Sequence, residues 1–358
     1  MDCNQIEYNK LSHDLHNYAV KNRIPVCGGL ELTWRCNLQC VHCYVSNQIK
    51  SQKNDELTFK EIKSILDELA SQGCLWLLIT GGEPLIRKDF LDIYIYAKEK
   101  GFIITVFTNG TLLNEEIIDY FAKFPPFIIE ISFYGATAKT HDQVTQVSGS
   151  FSYLFNGIKS LKKNKIPFRL KTILMSINKH EFFQMKSISE KFGTKPFLYD
   201  PIISPRVDCN QEPLSYRLSP NEINNLEMED NEIVNNWREF IEKSINPYKN
   251  INYKYLYNCN AGKTSFIIDP YGNLNLCVIS RYPNYNLRKG NFKNGWTFLG
   301  ELVKEPAKDD FNCKSCKLLP ICGQCPGWSQ LEYGYKNKDI RLDYLCELAN
   351  KRFNAFKK

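Results

Sequence analysis

No stretch of the 358 residues reaches the eighteen or so consecutive apolar positions that a membrane span requires, and the opening MDCNQIEYNKLSHDLHNYAVKNRIP lacks the basic-then-apolar plan of a signal peptide. A cytoplasmic protein is expected. Low-complexity tracts and fixed-period repeats are also missing, which excludes a solenoid or a fibrous array. Concentrated basic charge is missing too. The net charge of +7 is spread along the chain, and its two lysine-rich patches, KSLKKNK (159–165) and KRFNAFKK (351–358), read as a solvated helix face and a frayed terminus. With no evident RNA-binding module, a nucleic-acid partner is not expected. What the chain does have is a 43% hydrophobic content, enough to bury the core of one large barrel or two ordinary domains, and fourteen cysteines. In a reducing compartment that many thiols point to metal or redox chemistry and not to a disulfide framework.

From Gly29 to about Ile203, short apolar runs alternate with amphipathic segments. LELTW (30–34), CLWLLIT (74–80), FIITVFT (102–108), FIIEISFY (127–134), FRLKTILM (168–175) and PFLYDPII (196–203) predict six strands. Continuously hydrophobic strands separated by helices predict an α/β fold with a parallel sheet covered by helices, either a partial barrel or an open doubly wound sheet. Thr58 and Glu61 fit a capping box, and Ile62, Ile65, Leu66 and Leu69 follow one buried helical face. Further helices are expected over 88–100, 114–124, 150–164 and 178–192. After the sixth strand, SPRVDCNQEPLSYRLSP reads as a linker; Ser219, Pro220 and Glu222 then fit N-cap, N1 and N3 of one helix running to about Ser244.

RCNLQCVHCYV (35–45) places Cys36, Cys40 and Cys43 in the spacing C-x3-C-x2-C and offers no fourth cysteine. Chance would produce that spacing roughly 0.02 times in such a chain. Three thiolates on one loop can hold three irons of a four-iron cluster and leave the fourth open, and an open position is what a catalytic metal centre keeps. A structural zinc site borrowing a distant ligand, or a set of inert buried thiols, is the competing reading. Directly after the first strand, the pattern resembles the signature of the radical S-adenosylmethionine (SAM) superfamily. The resemblance implies a 4Fe-4S cluster whose open iron is chelated by the amino and carboxylate groups of SAM. An electron from the reduced cluster then splits the sulfonium C5′–S bond to give methionine and a 5′-deoxyadenosyl radical that abstracts a hydrogen atom. His42 stands where the family often has Tyr, Phe or Trp, so its ring is a candidate for stacking near adenine.

The second strand ends in TGGEPL (80–85). Alone, GGE is a strand-to-loop turn. One βα unit after the cysteine loop, at the C-terminal end of a barrel strand, it resembles the family's GGEP motif. That makes Thr80, Gly81, Gly82 and Glu83 SAM-binding candidates, the glycines by close backbone approach and Glu83 as a carboxylate for SAM's ammonium. FTNGT (107–111) and ISFYGA (131–136) occupy places where related enzymes contact the SAM ribose, so Asn109 and Ser132 join them; both also fit turn residues that satisfy their own backbone.

The C-terminal third carries Cys259, Gly272, Cys277, then Cys313-x2-Cys316-x5-Cys322-x2-Cys325, and Cys346. This array resembles the SPASM extension, the auxiliary-cluster domain of radical SAM enzymes that modify peptides and proteins. The resemblance implies two auxiliary 4Fe-4S clusters besides the SAM-binding one. Cys313, Cys316, Cys322 and Cys346 would ligate one of them; Cys259, Cys277 and Cys325 would hold the other, with an open or non-cysteine fourth site. CGQC has two intervening residues where the family usually has three, which bears on Cys325. Paired zinc knuckles are the competing reading.

The expected division is an N-terminal extension (1–27, with Cys3 and Cys27), a partial (β/α)6 TIM-like barrel (28–205), a linker and bridging helix (206–255), a SPASM domain (256–350) and a basic tail (351–358). The resemblance implies an enzyme that modifies a side chain or backbone carbon of a ribosomally synthesised precursor peptide or protein, with a flavodoxin or ferredoxin as electron donor. About thirty residues precede the first strand, too few for a fused leader-peptide-binding domain, so a separate small leader-peptide recognition protein is expected. Formylglycine formation of the anaerobic sulfatase-maturase type, haem-pathway side-chain decarboxylation and a multi-cluster electron-transfer protein are the rival readings. Beyond the sixth strand, Cys209 is a candidate hydrogen-atom donor to a substrate radical, and Asp200 and Arg206 are candidates for binding substrate or accepting a proton. Cys74 is read as core.

Overall fold

Branched and aromatic residues in short runs favour the pleated, buried backbone of a parallel sheet, and six such runs form β1 (Cys27–Glu31), β2 (Trp76–Thr80), β3 (Ile103–Thr108), β4 (Ile128–Ser132), β5 (Phe168–Ile173) and β6 (Leu198–Asp200). The computed structural model describes residues 7–45, 55–194, 196–245 and 253–357, so Cys3 lies outside the described residues. Each of β1 to β5 pairs in parallel with the next strand, and β7 (Ser265–Ile268) adds in parallel to the free side of β1. β8 (Asn273–Asn275) and β9 (Tyr285–Asn286) continue antiparallel, completing a nine-stranded sheet in the order β6-β5-β4-β3-β2-β1-β7-β8-β9. The architecture is a partial (β/α)6 barrel with a cysteine-bearing extension, and the expected boundary near 256 does not interrupt the sheet.

The helices expected from periodicity occur at Phe59–Ser71, Phe90–Glu99, Glu115–Lys123, Ser150–Lys163 and Phe182–Phe192. In the first of these, Thr58 and Glu61 form the capping box and Ile62, Ile65, Leu66 and Leu69 are all buried. Burying each such side chain is worth about 2 kcal/mol, which holds the helix on the sheet. Among the described residues before β5, two further helices go beyond the sequence expectation. Tyr8–Asn22 lies within the expected N-terminal extension, and Ala138–Thr145, capped by Thr137, follows β4.

Three other differences have local causes. β1 begins three residues before LELTW, because Gly28 and Gly29 belong to the strand; a Cβ on either would stand 2.7 Å from Phe266 Cζ or 3.0 Å from Ile267 Cγ1 on β7. Their poor strand propensity concealed a close approach between strands, and Cys27 accordingly opens β1 instead of preceding it. The expected single helix to Ser244 is two, Pro220–Met228 and Asn231–Ser244. Asp230 interrupts it by capping the second: its side chain accepts from the amides of Glu232 and Ile233. Residues 351–356, expected in a basic tail, lie in the helix Asp343–Phe356, where Phe356 and Arg352 are buried. Arg352 donates from Nε (2.9 Å) and Nη2 (2.6 Å) to Glu227 and lies 4.3 Å over the Trp237 ring, fastening this helix to the two linker helices. Among the described residues no helix is long and apolar enough to cross a membrane.

Candidate active site

Parallel strands end on one side of the sheet, and here the C-terminal ends of β2 to β6 surround a cavity of about 420 Å³, within the size range of small-molecule and cofactor sites. Cys36, Cys40 and Cys43 line it together with Thr80, Gly81, Gly82, Asn109, Ser132 and His42. Residues spread over about a hundred positions of sequence thus converge on one space. The far wall comes from the extension: Val278 and Ile279 beside Cys277, and Trp328 and Leu331 on the helix Pro326–Tyr333 that follows Cys325.

The cysteine loop is held from three sides. Gly82 N donates to Thr33 O (2.7 Å) and Glu83 N to Arg35 O (2.9 Å). A Cβ on Gly81, whose φ is +146°, would stand 2.2 Å from Thr33 O, and one on Gly82 would stand 2.4 Å from Arg35 O. The two glycines therefore serve first to let the turn press against the cysteine loop. From the second side, the last carbonyls of the unforeseen helix, Val144 O and Thr145 O, accept from Val41 N (3.0 Å) and Gln39 N (2.9 Å). From the third, Asn109 Nδ2 donates to Asn37 Oδ1 at 2.9 Å and approaches Cys36 Sγ at 3.7 Å. Asn109 also fits its turn reading, because its Oδ1 accepts from Thr111 N and Oγ1.

Glu83 is placed differently from the expectation of a carboxylate facing the ligand. It is fully buried, absent from the described cavity lining, and accepts from Thr108 Oγ1 (2.8 Å), Asn109 N (2.7 Å) and Leu85 N (3.1 Å). Burial pushes its carboxyl up to about 7, against the lowering pull of those three donors. With the folded value above the unfolded one, this group's contribution is most favourable below about pH 4.5 and is lost as pH rises through about 7, a change on the order of 3 kcal/mol. Urea unfolding of the wild type and Glu83→Gln between pH 4.5 and 8 is expected to show a downward slope that the variant lacks; parallel profiles would refute the assignment.

His42 is buried on the cavity wall, edge-on to Tyr134 at 4.6 Å between ring centroids. Asp200 stands at the rim, its Oδ1 accepting from Ile202 N at 2.9 Å; surrounding protein raises its carboxyl, against the pull of that amide and of Arg352. Cys209 lies outside the described lining, in left-handed backbone (φ 67°), and its thiol donates to Gln330 O at 3.5 Å. Arg206 pairs with Glu212 at 2.9 Å. Cys74 is buried. Lys171 on β5 was missed. It lines the cavity with its Nζ 3.3 Å from Glu130 and 2.8 Å from the Phe107 ring centroid, and burial lowers it to about 8 against the raising pull of Glu130. The available signal was a second basic residue two positions after Arg169 in a strand run, FRLKTILM, so that both lie on one face of the sheet.

The C-terminal thiols fall into two neighbourhoods. Burial, then the charges of Cys316 and Cys346, push Cys313 up to about 11; Cys322 is raised to about 11 by burial and by Cys346, Cys313 and Cys316. Burial, then Cys277 and Cys259, push Cys325 up to about 12. Among the described residues no three His, Cys, Asp or Glu side chains form a group that could hold a single metal ion. The fit to a thiolate-bound cluster rests on donor chemistry: three soft sulfur ligands line a cavity, one of them, Cys36, also accepting from Leu38 N at 3.4 Å.

Residues 30–186 match the model of the radical SAM superfamily. The AdoMet-dependent heme synthase of Methanosarcina barkeri is 36% identical over 163 residues, 46% of each chain. The antilisterial bacteriocin subtilosin biosynthesis protein AlbA of Bacillus subtilis is 27% identical over 266 residues, 72% of this chain and 55% of that protein. The matches thus span about half the length of these curated relatives. Streptococcus suis SuiB, solved with its precursor peptide SuiA, superposes with a TM-score of 0.69 at 17% identity over 91% of this chain and 78% of that one. Its complex with S-adenosylmethionine gives 0.70 at 17% identity over 97% and 83%. The barrel and its extension thus share one fold with SuiB, and residues 30–186 of this chain form a radical SAM domain, followed by a cysteine-rich C-terminal extension.

Proposed function

We propose that the chain is a radical SAM/SPASM enzyme that modifies a carbon of a ribosomally synthesised peptide or protein. The observation that carries this reading is the convergence of Cys36, Cys40 and Cys43 with Gly81, Gly82 and Ser132 on one cavity whose opposite wall is built beside Cys277 and Cys325. Cys36, Cys40 and Cys43 would hold the cluster that binds and reductively cleaves SAM, supplying a 5′-deoxyadenosyl radical for hydrogen abstraction. Thr80, Gly81, Gly82 and Ser132 would orient SAM, and His42 with Tyr134 would flank its adenine. Lys171 presents a cation toward anionic groups in the cavity. The apolar wall of Val278, Ile279, Trp328 and Leu331 excludes water from the reacting carbon. Asp200, which lines the cavity, would accept a proton from a substrate radical, whereas Cys209, the candidate hydrogen-atom donor, lies outside the described lining.

SuiB's precursor peptide and AlbA's bacteriocin pathway support a peptide substrate. The heme-synthase match covers 163 residues, fewer than the AlbA match, and this favours the peptide reading over haem-pathway decarboxylation. A cytoplasmic location, a flavodoxin or ferredoxin electron donor and a separate leader-peptide recognition protein complete the proposal. The test is anaerobic reconstitution followed by incubation with SAM and dithionite. About twelve irons and twelve sulfides with 5′-deoxyadenosine formation are expected from one SAM-binding and two auxiliary clusters. Stoichiometric zinc with about four irons would remove the auxiliary clusters from the proposal, and intact SAM would remove the activity.

A further inference from the structure

Glu31, the last residue of β1, is completely buried beneath the cysteine loop and accepts four hydrogen bonds. Trp34 Nε1 (3.0 Å) and Tyr44 OH (2.7 Å) come from the two flanks of the cysteine triad. Arg281 Nη1 and Nη2, both at 2.8 Å, come from 250 residues away in sequence. Arg281 is itself buried, lies over the Trp34 and Tyr44 rings at 5.2 and 5.6 Å, and donates from Nε to Val278 O at 2.8 Å. That carbonyl belongs to the turn in which Ser280 N donates to Cys277 Sγ at 3.3 Å. A continuous chain of directional bonds thus runs from the flanks of the first cysteine set to the turn bearing a cysteine of the second.

A buried carboxylate needs its cation, and a bidentate guanidinium holds both position and orientation, so movement at either end is passed to the other. We propose that Glu31 and Arg281 are positioning residues that couple the state of the Cys277 turn to the Cys36–Cys43 loop, making SAM binding at the first set depend on whether the second is filled. This inference rests on the SAM-binding reading of the first loop.

The test is a double-mutant cycle on the reconstituted full-length protein. It combines Cys277→Ala with the neutral pair Glu31→Gln/Arg281→Gln, and SAM affinity is read from the SAM-induced change in the electron paramagnetic resonance of the reduced first cluster. In the wild-type background, Cys277→Ala is expected to weaken SAM binding about tenfold although Cys36, Cys40 and Cys43 are untouched; in the neutral-pair background the same change should be less than about twofold. Hydrogen exchange of amides 36–45 supplies a second readout that needs no SAM: Cys277→Ala should accelerate exchange only where the ion pair is intact. Should the neutral pair not fold, Tyr44→Phe removes one link and keeps the ion pair, and should reduce the tenfold effect to about threefold. Equal, measurable losses of SAM affinity from Cys277→Ala in all backgrounds, or unaltered exchange in the wild-type background, overturn the coupling. Coupled exchange without any SAM response would preserve it and defeat the SAM-binding reading instead.

Discussion

Cys40→Ala is expected to yield a folded protein that keeps iron at its C-terminal cysteines and forms 5′-deoxyadenosine at least about a thousandfold more slowly than wild type, a barrier increase of about 4 kcal/mol. The loop does not depend on this thiol for its shape. The neighbouring amides of Gln39 and Val41 are held by the last carbonyls of the helix Ala138–Thr145, Gly82 N is bonded to Thr33 O, and Val207 N donates to Tyr44 O at 2.8 Å. Removing one half-buried sulfur should therefore change the urea midpoint little, by about 0.5–1 kcal/mol of stability. The chemistry responds differently, because two thiolates leave two irons of a four-iron cluster without protein ligands. Iron content should fall by about four per chain. A variant with wild-type 5′-deoxyadenosine yield would show that the triad is not the radical-generating site.

Gly81→Ala should also be damaging, by another route that costs more stability and less turnover. Its backbone has φ +146°, where side chains are rarely accepted, and the new Cβ would lie 2.2 Å from the carbonyl oxygen of Thr33. Backbone cannot rotate away as a flexible side chain can, so the loop carrying Cys36 must shift. Overpacking of this kind costs about 3 kcal/mol, and displacing a reacting group by about 1 Å lowers turnover on the order of 100-fold. Gly101→Ala is the control: φ is +86° and nothing lies within 4 Å of its Cβ, so conformational strain acts without a clash. It should cost about 1 kcal/mol and leave SAM cleavage at the wild-type rate. Thermal unfolding and 5′-deoxyadenosine formation on both variants separate the two contributions. Equal damage from both would mean that close approach to the cysteine loop is unimportant.

How far the chain could be read depended on how many residues each feature spans. Cys36, Cys40 and Cys43 were legible because all three donors lie within eight positions of one loop. The capping boxes at Thr58–Glu61 and Ser219–Glu222 were legible for the same reason: donor and acceptor are three residues apart. The strand cores of β2 to β5 stood out because each is a short run rich in branched and aromatic residues with at least one buried face.

Other features become decidable only after distant segments meet. Gly28 and Gly29 resemble a turn until Phe266 and Ile267 are seen to occupy the space a side chain would need. The helix Ala138–Thr145, polar over much of its length, acquires its role from carbonyls that hold the cysteine loop. The GGEP motif marks Glu83 as a SAM-binding candidate, but its hydrogen bonds to Thr108 and Asn109 at the end of the neighbouring strand are set by the fold. The ion pair of Glu31 with Arg281 spans 250 residues, and no local pattern announces it. Local hydrogen bonds and ligand spacings are written in short windows of sequence, whereas steric close approach and buried charge compensation are properties of packed surfaces and exist only when the chain has folded.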